Sequence, residues 1–160
     1  MKIYIDTSVA ISLADILDIF HSLSVDFINT LIKHEVECVV SAPLVVELGK
    51  IIEIKGMERC LDIINTIADL GIHFRSADMK EVWDLSQTYL DNDVLTVRHR
   101  LDLFHYATAS LLHCSHLASW NSKHFNDKIA MKINKVNAKR GLLSLIVGKP
   151  NYIIRREEFG

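Results

Sequence analysis

Four side chains that could offer oxygen atoms to a metal ion lie where this sequence changes between extended and helical patterns. Asp6 and Asn121 each follow an apolar run, Glu47 lies about one turn into a helical pattern, and Asp102 begins another. They are separated by 41, 55 and 19 residues, so only the fold can bring them together. Three carboxylates within reach of one another repel, and at roughly 5 Å and an effective dielectric near 20 each pair costs about 3 kcal/mol. A divalent cation relieves this repulsion directly.

The residue types indicate which cation and which chemistry. An oxygen-only set without thiolates or paired histidines favours Mg²⁺ or Mn²⁺ over Zn²⁺. Such an ion lowers the pKa of water and neutralises charge on a phosphate under attack, so the set predicts phosphodiester hydrolysis. Each residue taken alone also has a structural explanation, since Asp6 is a good helix cap, Glu47 and Asp102 suit helix N-termini, and Asn121 suits a turn.

Alternating apolar runs and helical patterns supply the elements that position these residues. Strands are predicted at residues 2–5, 38–40, 72–75, 116–120 and 143–147, with helical patterns between them. Strands separated by helices need crossover connections, which predicts an α/β fold with a mainly parallel sheet of about five strands. Ligand sites in such sheets lie outside the carboxyl ends of the strands, and if the sheet is parallel, Asp6, Glu47, Asp102 and Asn121 all fall at that edge.

Length and composition favour one globular domain spanning residues 1–160. The chain is 49% hydrophobic and 24% charged, which excludes a disordered or low-complexity protein. Its three cysteines lack any C-x-x-C spacing, which favours a reducing compartment over a disulfide framework. Asp6 interrupts the N-terminal apolar run and no run of 18 apolar residues occurs, so neither a signal peptide nor a membrane span is expected. These features together predict a cytoplasmic protein.

Charge is distributed unevenly along the chain. Residues 1–120 carry 9 Lys+Arg and 17 Asp+Glu, whereas residues 121–160 carry 9 and 3. The basic residues of the second part include a set at near-helical spacing: Lys128, Lys132, Lys135, Lys139 and Arg140. This set is interpreted either as a surface for a nucleic-acid backbone or as an ordinary solvated helix face. Both tryptophans, Trp83 and Trp120, are predicted to belong to the core rather than to stack on bases.

Four blocks in order along the chain carry a resemblance to a known family. They are the strand at 2–5 with Asp6-Thr7-Ser8, Ala42-Pro43 leading to Glu47, the segment DLFHYATA at 102–109, and ASWNSKHF at 118–125. Together they resemble PIN-domain ribonucleases of the VapC toxin type, and the likeness extends over essentially the whole chain. It implies a PIN-like three-layer α/β/α sandwich.

The resemblance also implies an activity and a set of site residues. The activity is Mg²⁺- or Mn²⁺-dependent endoribonuclease cleavage by activated water, which leaves a 5′-phosphate. Asp6, Glu47 and Asp102 match the acidic metal ligands of the family. Asn121 departs from the fully acidic pattern, because its amide offers a neutral oxygen and no charge.

Five further residues are candidates for supporting roles. Thr7 or Ser8 is expected to hold a water or a carboxylate, and His105 either orients Asp102 or is a core histidine. Lys123 and His124 either meet a phosphate or are ordinary loop residues.

The resemblance implies partners as well as chemistry. They are an RNA substrate, a small antitoxin protein and a second copy of the chain in a homodimer, which would make the protein the toxin of a toxin–antitoxin pair. The alternative interpretation is a PIN-like RNA- or protein-binding domain with weak or no nuclease activity, and Asn121 is the feature that keeps it open.

Overall fold

The N-terminal apolar run forms a central, fully buried strand. In the computed structural model, which describes residues 1–157 and 159, Lys2–Ile5 is strand β1, and Ile3, Tyr4 and Ile5 are each 0% exposed. A parallel strand covered on both faces needs such a continuous apolar run. The other strands of the described residues are β2 (Glu37–Val40), β3 (His73–Phe74), β4 (His116–Ala118) and β5 (Ile146–Gly148).

Eight α-helices connect and follow these strands within the described residues. They are α1 (Thr7–Ala14), α2 (His21–Lys33), α3 (Ala42–Lys55), α4 (Met57–Asp69), α5 (Met79–Asp91), α6 (Arg100–Leu111), α7 (Asp127–Lys139) and α8 (Pro150–Arg156). A 3₁₀ turn, Val97–His99, leads directly into α6. None of the helices in this described part is long and apolar enough to cross a membrane.

The sheet is wholly parallel, in the order β3-β2-β1-β4-β5, with helices on both faces. One core contains Ile3 and Ile5 of β1 with side chains of α1–α4 and α8. The other contains Tyr4 of β1 with side chains of α5, α6 and α7. Alternate residues of a strand point to opposite faces, which explains how one strand contributes to both cores. The predicted α/β class and three-layer α/β/α arrangement are confirmed, and the fold is consistent with a PIN-like sandwich.

The predicted elements differ from the structure mainly at their ends. The fourth strand ends at Ala118, and Ser119 and Trp120 lie beyond it. The third strand is reduced to the two residues of β3 at the sheet edge. Helix α8 was not predicted, although Pro150 stands at its first position, where proline is well tolerated.

The two tryptophans have different environments. Trp120 is 9% exposed and stacks on Phe20 with ring centroids 4.3 Å apart, so the core prediction is confirmed for it. The same prediction is wrong for Trp83, which is 52% exposed with the Arg100 guanidinium 4.4 Å from its ring centre. A cation over an aromatic face stabilises a ring that the core does not enclose.

The basic set lies along α7 and at its C-terminal end. Its five members are exposed, while Ala130, Ile133 and Val136 on the same helix are buried. Lys132 donates a 2.8 Å hydrogen bond to the carbonyl of Asp93, so this side chain also ties α7 to the end of α5. Binding of a nucleic-acid backbone by this face stays a prediction.

Candidate active site

A cavity of about 300 Å³ opens beyond the carboxyl ends of β1 and β4. The four residues of the predicted oxygen set, Asp6, Glu47, Asp102 and Asn121, all line it. The convergence predicted from the sequence is therefore present, because a parallel sheet brings the ends of neighbouring strands to one edge. The rest of the lining is Thr7, Ser8, Ile11, Lys50, Ile51 and Phe125.

Asp6 is fixed by hydrogen bonds to one of its two carboxylate oxygens. Its Oδ2 accepts from Ser119 Oγ (2.7 Å), from Ser8 Oγ (2.6 Å) and from the Ser8 backbone N–H (3.2 Å). The last of these caps α1, so Asp6 has both the structural role and the cavity position considered for it. Because Oδ2 is saturated, Oδ1 is the oxygen left for other partners. The Asp6 side chain is only 7% exposed.

Two serines connect this carboxylate to the loop after β4. Ser8 Oγ accepts a 3.0 Å hydrogen bond from the Trp120 backbone N–H. Ser119 Oγ accepts a 3.1 Å hydrogen bond from the Asn121 backbone N–H. The chain around Asn121 is thus held in register with Asp6. Ser119 was not among the predicted site residues, although it directly follows β4, the strand that pairs with β1.

His105 lies between two carboxylates at the inner wall of the site. Its Nε2 is 3.5 Å from Asp6 Oδ1 and 3.3 Å from Glu47 Oε2, and its Nδ1 is 2.9 Å from the Tyr4 hydroxyl. The predicted contact of His105 with Asp102 is wrong. The ring instead contacts Tyr4 of β1 and Glu47 of α3. The second prediction for this residue, a satisfied core histidine, is confirmed by its 0% exposure and its hydrogen bonds.

Asp102 pairs instead with His124, whose Nδ1 lies 2.9 Å from Asp102 Oδ2. His124 is directed towards this carboxylate and is not among the residues that line the cavity, so its contact with a phosphate stays a prediction. Burial raises the pKa of Asp102, and the nearby Asp6 charge raises it further against the opposing charge of His124. Lys123 is exposed and is not part of the cavity wall.

The pKa values of His105 and Glu47 are shifted in opposite directions. Burial is the largest influence on His105 and lowers its pKa, but Asp6 and Glu47 together outweigh burial and raise the pKa above 6.5. Burial of Glu47 acts to raise its pKa, but the hydrogen bond and charge of His105 outweigh this and lower the pKa below 4.5. Both shifts favour the charged forms of the two residues, as expected of an ion pair.

We expect this ion pair to give the metal-free protein a pH-dependent stability. Because the folded pKa of His105 is raised, its contribution is complete below pH 6.5 and is lost as pH rises through that folded value. Because the folded pKa of Glu47 is lowered, its contribution is complete above pH 4.5 and is lost as pH falls. The contribution is therefore largest between these two values, which urea unfolding at a series of pH values would measure. The His105→Gln variant lacks the ion pair, and a wild-type curve parallel to that of the variant would contradict this prediction.

A second concave surface of about 660 Å³ lies between α3 and α4, beside the edge of the sheet. Its lining is almost entirely apolar and includes Leu44, Leu48, Ile64 and Phe74. Among the described residues that line it, the one titratable group is the Cys60 thiol, and Cys60 is buried. The concentration of carboxylates, amide and lysine in the smaller cavity makes that cavity the candidate active site.

The comparisons with known proteins do not assign this site to a family. A scan against protein-family models matched no family to this chain, and a search of curated proteins found no significant match.

Proposed function

We propose that this protein is a divalent-metal-dependent endoribonuclease that hydrolyses RNA phosphodiester bonds. The observation that carries the proposal is the gathering of Asp6, Glu47, Asp102 and Asn121, distant in sequence, on one cavity at the carboxyl edge of a parallel sheet. The four sequence blocks that resemble PIN-domain ribonucleases supply the substrate class.

The donors present fit Mg²⁺ or Mn²⁺. Asp6 and Glu47 present carboxylate oxygens that lie, with a nitrogen of His105, within 4.8 Å of one another. The Thr7 hydroxyl is buried on the same cavity, beside the Glu47 carboxylate whose pKa it helps to lower. Asp6, Glu47 and Asp102 would hold the ion. When bound, it would lower the pKa of water and neutralise phosphate charge.

The remaining residues have roles that follow from their contacts. Ser8 and Ser119 hold Asp6 Oδ2 and so fix the direction of Oδ1. His105 compensates the negative charge of Asp6 and Glu47 while the site is empty of cations. Lys50 brings a positive charge to the cavity wall, where a phosphate oxygen of the substrate is the expected partner.

The test is cleavage of a broad pool of structured RNA by the purified chain with Mg²⁺ or Mn²⁺. We expect cleavage that EDTA abolishes, with products bearing a 5′-phosphate. Because water rather than the 2′-hydroxyl is the attacking group, a single 2′-deoxy substitution at the cut site should leave cleavage intact. Cleavage that persists in EDTA, or that stops at the deoxy position, would overturn the proposed mechanism.

Ser119→Ala tests the positioning of Asp6. The variant loses the 2.7 Å hydrogen bond to Asp6 Oδ2 and the acceptor for the Asn121 N–H. Removing a residue that orients a metal ligand typically reduces metal affinity or activity about 10- to 100-fold, and we expect a loss of that size in RNA cleavage. Ser122→Ala, at an exposed position three residues further on, is the matched control and should cleave at the wild-type rate. Equal rates for the two variants would remove the proposed role of Ser119.

The toxin role and its partners are proposed in addition to the nuclease activity. On the family resemblance we propose that RNA is the substrate, that a small antitoxin protein inhibits the enzyme, and that two copies form a homodimer in the cytoplasm. A reading frame for a small protein next to this gene, whose product binds the chain and blocks cleavage, would support the antitoxin. Sedimentation of the isolated chain measures the homodimer directly.

The alternative function is an RNA- or protein-binding domain with weak or no nuclease activity. Asn121 favours it, because an amide at the fourth position contributes no negative charge to the cavity. Asn121→Asp distinguishes the two functions. A true nuclease is expected to keep or increase its metal-dependent cleavage, whereas a chain that binds the RNA pool but never cleaves it, with either residue, is the binding domain.

A further inference from the structure

A second group of potential metal ligands lies beside the candidate active site and is rich in nitrogen. It consists of His99 in the 3₁₀ turn, Asp102 in the first turn of α6 and His124 in the loop after β4. One ligand atom from each residue lies within 4.8 Å of the others. His99 and His124 were not paired by the sequence analysis, because they are 25 residues apart and no H-x-x-x-H spacing connects them.

The two imidazoles converge on one carboxylate oxygen. His99 Nδ1 is 3.7 Å and His124 Nδ1 is 2.9 Å from Asp102 Oδ2, and the two rings have centroids 3.9 Å apart. Ligands of a tetrahedral ion bound at 2.0–2.1 Å are about 3.3 Å apart, which is close to these separations. The group therefore needs only small side-chain adjustments to surround an ion.

The His124 ring is held beside the Asp102 carboxylate. Its Nδ1 is buried and lies 2.9 Å from Asp102 Oδ2. The loop that carries it is well anchored, since the His124 carbonyl accepts a 3.0 Å hydrogen bond from Tyr106 and Phe125 stacks on the Tyr106 ring. A ring nitrogen held in place beside a carboxylate oxygen can share a metal ion with that oxygen.

The neighbouring group of Asp6, Glu47 and His105 differs in the exposure of its histidine. Both nitrogens of His105 have partners, and its ring is 0% exposed. By contrast, the side chains of His99, Asp102 and His124 are 34%, 18% and 14% exposed, so this group lies nearer to solvent. The second group therefore offers two partly exposed imidazoles with one carboxylate.

We propose that His99, Asp102 and His124 form a binding site for a divalent transition ion of the Zn²⁺ class. Two imidazoles and one carboxylate are a ligand set that Zn²⁺ accepts, with a further position open to water. Imidazole nitrogen also selects this class against Mg²⁺, which prefers oxygen ligands. The site is distinct from the oxygen-lined cavity but shares Asp102 with it.

Sharing Asp102 has a functional consequence that rests on the proposed function. An ion held by His99 and His124 takes the Asp102 carboxylate away from the cavity, so Zn²⁺ is expected to inhibit cleavage supported by Mg²⁺. Inhibition should follow occupancy of one site per chain. In His99→Ala it should be weaker, when each protein is compared with its own rate in the absence of Zn²⁺.

The test of the site itself uses Co²⁺ as a spectroscopic probe for the chelator-treated full chain. We expect one equivalent of Co²⁺ to bind with a visible absorption band, and Zn²⁺ to displace it. His99→Ala and His124→Ala should each weaken binding at least about tenfold, since each removes a direct ligand and even residues that only orient ligands are worth 10- to 100-fold. His73→Ala removes an exposed histidine on β3 and is the matched control with unchanged binding.

Further variants separate this site from the proposed nuclease. Asp6→Asn and Glu47→Gln change the other group and should keep the Co²⁺ band, whether or not RNA is cleaved. Co²⁺ binding that is absent in the wild type, or that survives equally in His99→Ala and His124→Ala, overturns the proposal. Thermal unfolding of each variant shows whether it is folded. Because His99 lies in an exposed turn, a loss of Co²⁺ binding in folded His99→Ala reports the loss of a ligand.

Discussion

Asp6→Asn should reduce metal-dependent RNA cleavage by at least about 100-fold while the protein stays folded. The Asp6 carboxylate is one of three carboxylates that line the cavity. Charge stabilisation by a bound metal ion is worth several kcal/mol, and each loss of about 1.36 kcal/mol lowers the rate about tenfold. Asparagine is nearly the same size and is also a good N-cap, so α1 should keep its cap. Initial rates with excess RNA, together with thermal unfolding, measure both parts of this prediction.

A matched control is available on the surface. Asp127→Asn makes the same chemical change at an exposed residue in the first turn of α7 and should leave the cleavage rate unchanged. If Asp6→Asn cleaves as fast as Asp127→Asn, Asp6 is only a helix cap. The proposed metal centre would then have lost its principal residue.

Leu103→Ala should lower the free energy of unfolding by about 3–5 kcal/mol, because it removes a fully buried side chain and leaves a cavity. Leu103 lies next to Asp102 on α6 and packs in the core between the sheet and helices α5–α7. The helix that carries both Asp102 and His105 is thus held by this core. Urea unfolding of the wild type and the variant, analysed with a common slope, measures the loss.

Leu17→Ala provides the comparison for that measurement. Leu17 is 89% exposed in the turn after α1, and an exposed substitution of this kind changes stability by less than about 0.5 kcal/mol. A loss below about 1 kcal/mol for Leu103→Ala would mean that α6 does not pack as described. The placement of Asp102 beside Asp6 would then lose its structural basis.

The fold class followed from local pattern, and the reasons are visible in particular elements. Residues 3–5 are apolar at consecutive positions because both faces of β1 are covered, and helical spacing between apolar runs requires crossover connections. Element ends were less predictable. Ser119 and Trp120 continue an apolar-looking run, but pairing with β5 ends at Ala118.

The contacts between side chains within the site could not be predicted from local sequence patterns. The expectation that His105 orients Asp102 used helix spacing, which places the two residues on neighbouring turns of α6. The ring instead contacts residues of β1 and α3, 101 and 58 positions away in sequence, and helix spacing holds no information about those elements. The partner of Asp102 is His124, which comes from a loop beyond β4.

By itself, the sequence determined that this chain folds as a parallel α/β sandwich and that its oxygen ligands meet at one edge of the sheet. Hydrophobic periodicity acts over a few residues, so it predicts the helices and strands. The common direction of parallel strands places all their carboxyl ends at one edge, so it predicts where the four residues meet. Only the tertiary structure decided which side chains touch there: Ser119 on Asp6, His105 between Asp6 and Glu47, and His124 on Asp102. Such contacts depend on the packing of helices from both layers to within about an ångström, and no local pattern encodes that packing.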